Sequence, residues 1–156
     1  MSTQVTVITN SAEHTERLGE TVAQMNIGGP IFLHGELAAG KTAFVRGFVR
    51  HFSATAALEV QSPTYAFMNS YPTSPMVHHL DLYRVENFDA FLDLGLEEAF
   101  VTNQIACVEW PKQWLQQHYS ASLSIYFKHV KDDIRELEFL FTKPPKNYDV
   151  TNLKKV

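Results

Sequence analysis

The octapeptide Gly35-Glu36-Leu37-Ala38-Ala39-Gly40-Lys41-Thr42 constrains this chain more than any other stretch. It follows the pattern G-x-x-x-x-G-K-[ST]. A short apolar run, Ile31–Leu33, leads into it and reads as a strand. Behind it, Phe44, Val45, Phe48, Val49 and Phe52 fall on one face of a predicted helix over Lys41–Phe52. A strand, a glycine-bounded loop and a helix in that order turn backbone N–H groups inward as an anion nest, and the positive end of the helix faces the same space. Gly35 and Gly40 permit close backbone approach and dihedrals that other residues resist.

Such a nest suits the phosphates of ATP. Glu36, Leu37, Ala38, Ala39, Gly40, Lys41 and Thr42 are the expected cradle, with Lys41 reaching the β- and γ-phosphates and Thr42 offering its hydroxyl to Mg²⁺. The rest of the chain supplies a matching frame. Val5–Ile8 is β-prone, and Ser11 is placed to cap a helix carrying Leu18, Val22 and Met25, which Gly28, Gly29 and Pro30 stop. Ser53–Glu59 reads as a loop. Tyr65–Tyr71 and Met76–Leu82 read as strands about a Pro72–Pro75 turn, and Glu86–Leu94 as a short helix ended by Gly95. Ile105–Val108 is a continuous apolar run, expected of a strand buried on both faces. Ser122–Lys128 and Ile134–Phe141 read as an antiparallel hairpin. The expectation is an α/β, three-layer P-loop NTPase fold with a mixed, mostly parallel central sheet and a C-terminal antiparallel hairpin. Residues 1–142 form the single domain, and residues 143–156, with two prolines and four lysines, a loose tail.

The chain's 156 residues fit one domain, and a formal net charge of −4 gives no support for a nucleic-acid-binding surface. Arg46, Arg50 and Arg84 are read as solvated charges in preference to a basic face. The one cysteine, Cys107, lies in an apolar run and reads as a small buried hydrophobe. The absence of disulfides, of a secretory leader and of a bilayer-length apolar run points to a cytoplasmic protein without membrane contact. His78 and His79 are neighbours on a predicted strand and point to opposite faces, so no zinc site is expected there.

A phosphate loop alone does not choose a reaction. Asp81 and Glu109 each end an apolar run, where ligands gather in open α/β sheets, and either suits an acid near Mg²⁺. Ser62-Pro63-Thr64 follows the loop helix, in a region where nucleotide switches place a Thr that senses the γ-phosphate; a plain Ser-Pro turn is the alternative. A small-molecule kinase would need a second pocket and a lid, for which no insertion is evident.

Taken in order, Gly35–Thr42, Ser62-Pro63-Thr64-Tyr65, His79-Leu80-Asp81-Leu82-Tyr83-Arg84, Leu94-Gly95-Leu96-Glu97-Glu98 and Glu109-Trp110-Pro111 resemble the bacterial TsaE (YjeE) family. The resemblance runs from about Asn10 to Thr142. It implies an ATPase in the synthesis of N6-threonylcarbamoyladenosine at position 37 of tRNA, slow without its partners TsaB and TsaD and meeting tRNA only through that complex. The resemblance makes Glu109 the Mg²⁺-associated acid beside Thr42, and Asp81 the carboxylate on the water or γ-phosphate side. Lys41, Asp81 and Glu109 are thus the expected catalytic group. Ser62 and Thr64 belong to a switch-like segment, and Trp110 shapes the site or meets a partner. The adenine is expected against Asn10–Ala12, Ser11 included, and Arg135. One departure stands out: the family's loop usually carries Gly where this chain has Ala38. Nucleotide binding is expected to survive this.

Overall fold

Apolar side chains along seven short runs set the sheet, and the 3.6-residue spacing of two others sets the two helices that cover one face of it. The computed structural model describes residues 2–156. Strands β1 (Thr3–Thr9), β2 (Gly29–His34), β3 (Met68–Tyr71), β4 (Val77–Asp81), β5 (Ile105–Glu109), β6 (Leu123–Lys131) and β7 (Ile134–Phe141) form one sheet in the order β1-β7-β6-β2-β5-β4-β3. The central strands β6, β2, β5 and β4 are mutually parallel; β7 and β3 pair antiparallel with β6 and β4, and β1 pairs antiparallel with β7. The sheet is therefore mixed, with a parallel middle, and β6–β7 is the expected terminal hairpin.

Helices α1 (Ala12–Gln24) and α2 (Lys41–Phe52) share one apolar core with Ile31, Leu33, Ile105 and Cys107 of the sheet. The opposite rows, including Phe32, Leu80, Ala106 and Val108, pack under α4 (Phe88–Asp93), a 3₁₀ turn over Leu96–Phe100 and the short α5 (Gln113–Gln116). Three layers result, with buried apolar residues on both faces of the parallel strands, as βαβ crossovers demand.

Local signals fix several ends. Ser11 accepts from the His14 N–H and caps α1, Asn87 does the same for α4 from the Ala90 N–H, and Gly95 follows α4 with φ of 73°. Four expectations change. Helix α1 ends at Gln24, ahead of Gly28, because Asn26 takes the left-handed conformation. Ser53–Glu59 holds a four-residue helix, α3 (Ala54–Ala57), which Ser53 caps by accepting from the Ala56 N–H. The strand expected from Tyr65 begins only at Met68, since Phe67 turns the chain at φ 67° and its carbonyl accepts from the Asp81 N–H. The segment expected to be loose carries a 3₁₀ turn over Val150–Lys155, with Val150 and Leu153 buried in the core shared with β1. Two apolar side chains at i and i+3 suffice to seat that turn, a signal that the flanking lysines and prolines obscured.

Candidate nucleotide site

Side-chain parity brings the site together. In parallel register, Val77, His79 and Asp81 of β4 lie opposite Ile105, Cys107 and Glu109 of β5, and the first members of both rows sit in the core beneath α2. The last members, Asp81 and Glu109, therefore emerge at the carboxyl ends of the strands on the face where α2 begins. Leu33 of β2 lies opposite Glu109, and β2 runs directly into the phosphate loop. Two acids and the loop are thus held by three adjacent strands.

The loop itself has the backbone its glycines suggest. Gly40 precedes α2 with φ of 108°, a conformation that side chains rarely adopt. Lys41 is 4% exposed, with Nζ 2.5 Å from the Gly35 carbonyl oxygen and 3.8 Å from the centre of the Trp110 ring. Burial lowers its pKa, while Glu109, Asp81 and Glu36 oppose that shift. Thr42 Oγ1 donates to Glu109 Oε2 at 3.0 Å. Asp81 is held on both oxygens: Ser62 Oγ and Thr64 Oγ1 donate to Oδ2 at 3.0 and 3.1 Å, and the Tyr83 N–H donates to Oδ1 at 2.9 Å. A cavity of about 240 Å³ is lined by Leu37, Ala38, Gly40, Lys41, Thr42, Ala43, Ser62, Asp81, Glu109 and Trp110.

A second cavity, of about 150 Å³, shares Ala38, Gly40 and Ala43 with the first and adds Ser11, Ala12, Thr15, Asp133 and Arg135. The start of α1 and the late hairpin, expected together on other grounds, do meet beside the loop. Arg135 donates to the carbonyls of Asp132 at 2.8 Å and Ala38 at 3.3 Å, which ties the hairpin to the loop. Glu36 and Ala39 belong to the loop but line neither cavity; Ala39 is buried, and its N–H donates to the Glu36 carbonyl. A larger cavity, about 640 Å³ between Ile27, Phe52 and Phe100, lies at the amino ends of β2 and β5, away from these groups.

The donor set suits Mg²⁺ held chiefly by phosphate oxygens and water. One hydroxyl and one carboxylate stand 3.0 Å apart at the loop. Magnesium takes few protein ligands in nucleotide sites, so the lack of any cluster of three His, Cys, Asp or Glu ligands among the described residues is no obstacle.

The model of the family described as "Threonylcarbamoyl adenosine biosynthesis protein TsaE" matches residues 9–137. The chain belongs to the TsaE family. It is 35% identical over 133 residues to the "tRNA threonylcarbamoyladenosine biosynthesis protein TsaE" of Bacillus subtilis, covering 84% of this chain and 82% of that one. The protein of the same name from Treponema pallidum is 28% identical over 131 residues, covering 83% and 96%. The crystal structure of Bacillus subtilis YdiB superposes with a TM-score of 0.66 at 26% identity, over 92% of this chain and 88% of that one. The TsaE family match spans the loop, both acids and Arg135.

Two site features escaped sequence reasoning, the contacts of His79 and of His34. His79 Nε2 contacts Glu109 Oε2 at 2.5 Å; strand parity, with the single residue Leu80 between His79 and Asp81, is the signal that places it there. His34, the last residue of β2, stacks on Tyr126 with ring centres 4.4 Å apart, and burial followed by the nearby Lys41 charge lowers its pKa. Trp110 has φ of 55° and packs edge-on against Tyr83 at 4.9 Å, a bend that turns its ring over Lys41. The arginines behave differently from one another. Arg46 pairs with Glu16, Arg50 with Glu16 and Glu20, and Arg84 lies over the Tyr65 ring. Among the described residues no helix is long and apolar enough to cross a membrane.

Proposed function

We propose that this chain is a cytoplasmic Mg²⁺-dependent ATPase that supports N6-threonylcarbamoyladenosine formation on tRNA, acting with TsaB and TsaD. The observation that carries the reading is the convergence of Lys41, Thr42, Glu109 and Asp81 on one small cavity at the phosphate loop. The TsaE membership supports the pathway, and TsaB and TsaD are the partners that the resemblance implies.

In this reading the loop amides and Lys41 bind the triphosphate, and the low-dielectric surroundings of Lys41 strengthen that attraction. Thr42 and Glu109 would hold Mg²⁺, which would supply charge neutralisation for the triphosphate. Asp81 orients the attacking water through the Ser62 and Thr64 hydroxyls that it holds. Ser11, Ala12 and Arg135 border the nucleoside end. The test is phosphate release from ATP, measured with and without TsaB–TsaD. Stimulation by the partners is expected, and an unchanged rate would refute the assembly-dependent ATPase.

A second reading is a module whose nucleotide occupancy matters more than turnover. It is favoured by the engagement of both Asp81 oxygens in holding the Ser62–Thr64 segment, which makes that carboxylate a loop latch. Glu109→Gln separates the two. Intact partner binding and tRNA modification in that variant support occupancy; binding without modification supports hydrolysis.

A further inference from the structure

His79 is fully buried, yet only one of its ring nitrogens is used. Nε2 lies 2.5 Å from Glu109 Oε2, reaching diagonally from its β-sheet partner Cys107 to the residue two further on. Nδ1 is buried with no hydrogen-bond partner among the described residues. A phenyl ring at this position would leave no polar atom orphaned, so packing alone gives no reason for an imidazole. The same Oε2 accepts from Thr42 Oγ1 at 3.0 Å. With Oε2 accepting from the hydroxyl, the short second contact is completed by a proton on His79 Nε2, which fixes the ring's tautomer.

We infer that His79 is a positioning residue whose Nε2–H anchors Glu109 Oε2, holding the carboxylate and Thr42 in one arrangement ready for a magnesium-bound triphosphate. The inference rests on the Mg·ATP site proposed above. His79 touches neither nucleotide nor metal; it acts through Glu109, as a ring N–H that orients a carboxylate does in other metal sites.

The test is ATP affinity by calorimetry, in magnesium and in EDTA, for the unaltered chain, His79→Phe and His79→Gln. Phe keeps the ring volume without the donor, and Gln restores an N–H at similar reach. In His79→Phe the affinity in EDTA should stay within about twofold of the unaltered chain, while the enhancement by magnesium falls about 10- to 100-fold and largely returns in His79→Gln. A folded His79→Phe chain with full enhancement, or His79→Gln as impaired as His79→Phe, would overturn the inference while leaving the proposed function standing. An unaltered chain whose ATP affinity ignores magnesium would instead remove the metal site itself. Nitrogen-15 imidazole spectra of the unaltered chain give an answer that needs no variant: Nε2 of His79 should be protonated, and a bare Nε2 would overturn the inference.

Discussion

Ala38 has φ of 60° inside the phosphate loop, where an L-residue costs roughly 1 kcal/mol over Gly. The strain sits in the stretch that both loop-side cavities share, and the Arg135 contact to the Ala38 carbonyl helps to hold it. Ala38→Gly should therefore raise unfolding stability by roughly 0.5–1 kcal/mol, less than the strain relieved because Gly also loosens the unfolded chain. Urea unfolding measures this, and a loss of stability would show that the bend is not strained. Lys41 is the opposite case, a buried cation kept where it costs desolvation. Burial depresses its pKa, and the Glu109, Asp81 and Glu36 charges restrain that shift. Its ammonium is worth about 1.5–3 kcal/mol as a charge-assisted phosphate contact. Lys41→Ala should weaken ATP binding roughly tenfold or more by calorimetry, and an unchanged affinity would remove Lys41 from the site.

Helices α1 and α2 meet so closely that a Cβ on Gly47 would lie 1.8 Å from the Glu16 carbonyl oxygen. Backbone cannot yield as a side-chain tip does. Gly47→Ala should therefore destabilise by about 2 kcal/mol despite the better helix propensity of Ala, whereas Gly28→Ala, with nothing within 4 Å of the added carbon, should do no harm. Urea midpoints of both variants check the contrast. At this scale the sequence was legible wherever a period or a punctuating residue stood alone. Phe44, Val45, Phe48, Val49 and Phe52 define α2 to its observed bounds, and the apolar runs ending at Asp81 and Glu109 give β4 and β5 nearly to theirs. Strand order was not legible, because it depends on which faces meet in space. The Glu16–Arg46–Arg50 cluster between α1 and α2 was hidden for the same reason: its partners are 30 and 34 residues apart. His79 carries a readable cue in its parity with Asp81, but its contact with Glu109 lies across strands, 30 residues away in sequence.

Across the molecule, the C-terminal segment seals the edge of the core away from the loop. Val150 and Leu153 pack into the core of α1, α2 and β1, and none of residues 143–156 lines either loop-side cavity. Burying two such side chains is worth about 1.5–3 kcal/mol each at most. Removing residues 143–156 should lower the melting temperature by several degrees while leaving ATP affinity unchanged well below the transition; an unchanged melting temperature would mean that the turn adds nothing. The loop, both acids and the cavity beside Arg135 instead gather at one end of the parallel strands, and the proposed nucleotide-dependent function rests on that end alone. The most direct test follows the backbone amide resonances of the isotope-labelled chain as Mg·ATP is added. Gly35–Thr42 should shift most, with Glu109 and Trp110 moving alongside them. Resonances there that stay fixed at millimolar Mg·ATP would contradict the account.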